Sequence, residues 1–100
     1  AGAFVYELCQ LRTGSDGHEK RPHLNDSAEL AVAAWRSVKA AAIARGERLS
    51  DRLAVELCAT AGGRNLLAIG HGEDLAWAAE IDKHAIVPEL DRVVGTLRVP

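Results

Sequence analysis

Cysteine is scarce: Cys9 and Cys58 stand far apart in no C-x-x-C spacing, so neither a disulfide framework nor a tetrahedral zinc site has support, and both thiols are expected to be reduced. Aromatic residues are few as well, at 4% of the chain, within a composition that is 48% hydrophobic and rich in alanine. A core drawn from such side chains is made of small groups and needs close backbone packing. No run approaches the roughly 20 apolar residues required to span a bilayer, and the first residues lack the basic region and long apolar stretch of a signal peptide. These absences point to a cytoplasmic chain without a membrane partner.

A large charge of either sign is also missing. The net charge of −2 argues against a dedicated polycation-type binder and leaves both nucleic acid and protein partners open. The charges are unevenly placed, however. Arg36, Lys39, Arg45, Arg48 and Arg52 face only Glu47 and Asp51 within their stretch, whereas Glu73 to Asp91 is strongly acidic.

At 100 residues the chain makes a single domain with one modest core. Phe4 to Leu11 is short, apolar and partly β-branched or aromatic, which suits a strand. The segment 13–25 collects glycines, charges, Pro22, His18 and His23 without an apolar period and reads as a loop. Asp26 offers an N-cap and Glu29 the acid of a capping box. Leu30, Ala34, Val38 and Ala41 then set a helical period that Gly46 ends. Ser50 offers a second N-cap, and Leu53, Ala54, Leu57, Cys58 and Ala61 carry a second helix to Gly62 and Gly63.

Beyond Gly63 the pattern predicts a helical turn over Leu66 to Ile69, broken at Gly70. Leu75, Trp77, Ala79 and Ile81 alternate as a half-buried strand would. Pro88, Glu89 and the set Leu90, Val93, Val94 and Leu97 predict a C-terminal helix. The fold class is therefore α/β, a small mixed sheet packed by a helical hairpin and a C-terminal helix in the order β-α-α-(α)-β-α, with an all-α bundle as the alternative.

No catalytic set converges in the sequence. His71 and His84 have neither H-x-x-x-H spacing nor a neighbouring cysteine, so the four histidines are read as surface groups and no metal or cofactor is expected. Cys58, between Leu57 and Ala61 on an apolar helix face, reads as a packed thiol rather than a nucleophile. Gly62-Gly63-Arg64 lacks the Walker lysine and the preceding strand of a phosphate loop. Adjacent Glu73 and Asp74 read as solvated turn residues. Arg45, Arg48 and Arg52 bracket the turn into the second helix, where free backbone amides add partial positive charge and a phosphate could be held. The bland alternative is a solvated basic face. A DNA-reading helix-turn-helix fits less well, because Val55, Leu57 and Ala59 crowd the second helix.

The stretch from Asn25 to Leu67, through Arg45-Gly46-Glu47, Leu49, Leu53, Val55, Glu56-Leu57, Ala61 and Gly63, resembles the small PRPK-binding subunit of the KEOPS complex. It departs from that family at Arg64-Asn65-Leu66-Leu67, where the family continues into Arg-Gln-Ile and a longer partner-binding helix. The resemblance covers under half the chain. It implies a non-catalytic accessory subunit that docks on a kinase-like ATPase and, as in archaeal relatives, helps hold the 3′ end of tRNA for threonylcarbamoyladenosine formation. In that role Leu66, Leu67 and Ile69 would form the partner-binding anchor, and Arg45, Arg48, Arg52 and Arg64 the RNA-phosphate rim. Without the resemblance, the residues describe a generic small protein-interaction domain or a helix-turn-helix regulator, and a homo-oligomer is open in every case.

Overall fold

The computed structural model describes residues 1–11 and 22–100. Among the described residues, five helices and one small antiparallel sheet follow one another: α1 Gly2–Leu11, α2 Asp26–Arg45, α3 Leu49–Cys58, α4 Ala61–Ala68, α5 Gly72–Ala78, β1 Glu89–Asp91 and β2 Thr96–Arg98. The chain is thus helix-rich and mixed. The expected sheet sandwiched against helices is replaced by a two-stranded hairpin that packs on none of the five helices. Of the expected loop over 13–25, residues 22–25 carry neither helix nor strand, and the rest, His18 included, lies outside the described residues.

The long helix α2 is the spine. Its N-cap is Asn25 rather than Asp26: the Ala28 amide donates to Asn25 Oδ1 at 2.9 Å, and Asp26 and Glu29 sit inside the first turn, where they complement the dipole. At its other end Gly46 takes the left-handed conformation, φ 64°. The Glu47 amide then reaches back to the Ala42 carbonyl at 3.0 Å and the Gly46 amide to that of Ile43 at 3.2 Å. This pair of bonds is a Schellman motif, and it turns the chain directly into α3.

The first segment, expected as a strand, is helix α1. Gly2, Val5, Tyr6 and Cys9 fall at helical spacing and are its more covered positions, whereas Phe4, Leu8 and Leu11 form a second, exposed stripe. Gly2 decides the packing. A methyl group there would fall inside the Ala31 carbonyl and press on Trp35 Cβ, so the two helices meet at backbone distance. One turn on, Tyr6 lies under Lys39, with Nζ 4.3 Å from the ring centroid, and Arg36 flanks the same ring at 5.7 Å.

The expected second helix divides in two. Ser50 lies within the first turn of α3, which begins after Arg48 without a side-chain cap, and α3 closes at Cys58 instead of running to Gly62. Thr60 makes the break. Its hydroxyl donates to the Leu57 carbonyl at 2.7 Å and accepts the Gly63 amide at 3.0 Å, capping α4 while holding the end of α3. Gly63 is consequently buried against α3, where any Cβ would strike the Leu57 carbonyl, while Gly62 beside it faces open space. The helical turn expected at Leu66 to Ile69 is the end of α4.

The segment read as a strand from Leu75 to Ile81 is α5 and its exit. A strand would bury Leu75, Trp77 and Ala79 together, but Leu75 and Ala79 are 5% and 1% exposed while Trp77 is 64% exposed, which is the i, i+4 face of a helix. The C-terminal helix expected from Pro88 is instead the hairpin. Asp91 accepts the amides of Val93 and Val94 at 2.9 and 3.2 Å, and Gly95, at φ 73°, completes the reversal. A mid-helix glycine among β-branched residues disfavours the helical alternative, and the asparate-centred turn captures the chain. The register pairs Glu89 with Arg98, Leu90 with Leu97 and Asp91 with Thr96.

The helices pack in a chain, α1 and α3 on α2 and α5 on α3 and α4, and among the described residues the buried apolar members are Val32 and Ala42 of α2, Leu75 of α5 and Ala79 just past it. The neighbouring glycines of α4 separate backbone contact from helix propensity. Gly63→Ala is expected to lower stability by more than about 2 kcal/mol. Gly62→Ala, which meets nothing, is expected to raise it by about 0.5–1 kcal/mol. Urea unfolding midpoints at unchanged slope are the measurement, and equal effects at both positions would refute the packing described for Gly63.

Candidate interaction surface

The sequence-nominated arginines do not gather into one rim. Arg45 ends α2 and Arg48 precedes α3, so these two share the α2–α3 corner around Gly46, and both are exposed. Arg45 has no ion pair among the described residues. Arg48 lies 3.8 Å from Glu80, an open contact that links the corner to the end of α5.

Arg52 is placed differently. Its side chain is 12% exposed, and Nε and Nη2 both donate to Glu56 Oε1 one turn along, at 3.1 and 2.6 Å, with Glu47 at 3.7 Å on the other side. A guanidinium held between two carboxylates is occupied, and a phosphate would have to displace both. Arg64 donates to the Ala59 carbonyl at the C-terminal end of α3. The ten residues of α3 span about 15 Å, so Arg64 sits at the opposite end of that helix from Arg48. Glu80 thus lies beside Arg48, and Glu47 and Glu56 beside Arg52. Sequence spacing sets Glu47 beside the basic residues but not Glu80, which arrives from the exit of α5, where the alternation pattern predicts a strand.

The apolar nominees occupy the last turn of α4 and its cap. Leu66 is partly covered within α4, whereas Leu67 is 49% exposed and Ile69, just past the helix end, is 59% exposed. Their presentation is fixed by a second Schellman motif. Gly70 turns left-handed at φ 81°, its amide donates to the Leu67 carbonyl at 3.2 Å, and that of His71 donates to the Leu66 carbonyl at 2.9 Å. The Leu67 side chain lies over Gly72 at the start of α5. On α5 itself Trp77, which the strand reading placed in the core, is turned outward with Lys83 Nζ 3.3 Å from its ring centroid. An aromatic ring half clad by a lysine stem is a common element of binding surfaces.

Among the described residues no three histidine, cysteine or acidic side chains converge as a metal site would require, and His71 approaches only Asp74, at 3.9 Å. Cys58 is half-covered at the end of α3. No helix among them is long and apolar enough to cross a membrane. Comparison with family models, with curated proteins and with solved structures finds no match to the chain.

The arginines are expected to separate by role. Arg52→Ala should cost about 1 kcal/mol of stability, because it strips a covered guanidinium from two carboxylates. Arg45→Ala should stay within about 0.5 kcal/mol of the parent. Thermal unfolding of the two variants side by side measures this, and an inert Arg52→Ala would show that its ion pairs carry no weight.

Proposed function

We propose that this chain is a non-catalytic binding module of the accessory-subunit kind, docking a protein partner through the apolar ridge at the end of α4. The observation that carries the reading is the exposure of Leu67 and Ile69 on a corner whose backbone is pinned on both sides of Gly70. Side chains held outward on a rigid corner lose little conformational freedom on binding, which is how small anchors reach useful affinity.

The resemblance over Asn25 to Leu67 names the partner to test first, a kinase-like ATPase subunit, and the ligand to test second, the 3′ end of tRNA. The helix–turn–helix around Gly46 lies within the stretch that carries the resemblance, while α5 and the hairpin stand where the sequence predicts a strand and a C-terminal helix. The occupied state of Arg52 weighs against the tRNA half and narrows a phosphate contact to Arg45 and Arg48.

Titration calorimetry with a purified kinase-like ATPase subunit tests the docking. Leu67→Asp with Ile69→Asp should weaken binding by at least about 100-fold, since two apolar anchors are lost. Binding that is undiminished by the pair would dismiss the ridge. If tRNA is held, Arg45→Ala and Arg48→Ala should each lower the slope of log affinity against log salt by about one, while Arg52→Ala should leave it unchanged. An Arg52 effect equal to the others would contradict the engaged role assigned to it.

A further inference from the structure

We infer that the outward face of α5 is a seat for a lysine or arginine side chain on a basic segment of a partner protein, and that Lys83 occupies this seat in the free chain as an internal competitor. The face is composed for a cation. Glu73, Trp77 and Glu80 follow one another at i, i+4 and i+7 along α5 and its exit, with Asp74 beside them, on the side turned away from the buried Leu75 and Ala79. All four side chains are exposed, and α5 itself carries no basic residue. Over residues 73–91 the chain sets six acids against one lysine.

That lysine shows what the seat holds. Ile81 and Asp82 turn the chain, Asp82 left-handed at φ 55°, and Lys83 Nζ comes to 3.3 Å from the Trp77 ring centroid. Among the described residues Lys83 forms no ion pair, so its ammonium rests on the ring rather than beside any of the neighbouring carboxylates. A tryptophan face attracts a cation through its quadrupole, and carboxylates around it deepen the negative potential there. Lys83 stands where an incoming cation would, and a partner must move it first.

The same charges decide the class of partner. Glu73 has no ion pair among the described residues, while Asp74 and Glu80 reach only His71 at 3.9 Å and Arg48 at 3.8 Å, open contacts in water that leave their charge available. A face of this sign repels nucleic-acid phosphates and anionic lipid headgroups. A basic peptide segment can instead lay one side chain on the ring and others along the carboxylates. An exposed cation–π contact is worth about two- to five-fold in affinity, so Lys83 is held loosely enough to be displaced. The seat lies on α5 and does not use Leu67 or Ile69 of the α4 ridge.

Fluorescence anisotropy of a dye-labelled eight-residue peptide of alternating arginine and serine, titrated with the full chain at low ionic strength, is the test. The same peptide with glutamate for arginine is the control. The arginine peptide should bind with a dissociation constant below about 1 mM and loosen as salt is added, and the glutamate peptide should not bind. Trp77→Ala should weaken binding at least about 10-fold, and Lys83→Ala should strengthen it about two- to five-fold. In the Trp77→Ala background the gain from Lys83→Ala should vanish, since the two residues act at one seat. Both side chains are exposed, so helical circular dichroism should match the parent; if Trp77→Ala loses it, Trp77→Leu, which keeps an apolar side chain without the ring, decides. Leu67→Ser with Ile69→Ser should leave the affinity unchanged, which separates this seat from the docking reading. An arginine peptide that does not bind, binding indifferent to the loss of the ring, or a gain from Lys83→Ala that persists without the ring would overturn the inference.

Discussion

With few large side chains to hold elements apart, the helices of this chain meet at the distance their backbones allow, and two glycines set that distance. Gly2 rests on the Ala31 carbonyl and Gly63 on that of Leu57, each in a place where a single methyl group would collide with main chain. The first contact seats α1 on α2, and the second folds α4 back on α3. Between them the arrangement of four helices is specified by the absence of a side chain rather than by the bulk of one. This is an economical way to position helices, but it buries little apolar surface, and the short set of buried apolar residues, Val32, Ala42, Leu75 and Ala79, is its consequence.

A second consequence falls on function. A chain that spends its apolar residues sparingly inside has many left outside, and they are organised rather than scattered. The corner at Gly70 presents Leu67 and Ile69, α5 presents Trp77, α1 presents Phe4, Leu8 and Leu11, and the ribbon presents Leu90, Leu97 and Val99. The arginines that looked like a phosphate rim behave the other way. Arg52 is drawn into carboxylates and Arg64 onto a helix end, so both guanidinium groups are engaged within the fold.

How far the sequence could be read varied with whether a local signal competed with a tertiary one. The long helix α2 was legible because its period and its Gly46 stop agree with the packing it makes. The α3–α4 break was hidden, since Thr60 announces a cap only when Gly63 is known to face inward, and two adjacent glycines look like an end rather than a beginning. In α1 two apolar stripes at helical spacing add up to an unbroken apolar run, which is also what a strand looks like. Alanine between Leu75 and Ile81 permitted both periods, and the burial of Ala79 with exposure of Trp77 is a tertiary choice. At the C-terminus the i, i+3, i+4, i+7 set was genuine, but Asp91 and Gly95 outvote it through turn chemistry. Around the candidate site, the helical turn that carries Leu66, Leu67 and Ile69 was legible from its place after Gly63; the pairing of Arg48 with Glu80 was not, because it joins elements distant in sequence.

The two tryptophans end up in opposite surroundings. The indole Nε1 of Trp35 is shut away from solvent without a hydrogen-bond partner among the described residues, at the seat of α1 on α2, whereas Trp77 stands in water under a lysine. The molecule therefore carries two optical probes of different reach. Emission from Trp35 follows whether the helices are together, and the part of the signal open to an aqueous quencher comes from Trp77 and follows whether anything has come to rest on α5. Assembly and unfolding, which many small helical proteins report through one overlapping signal, can here be watched apart.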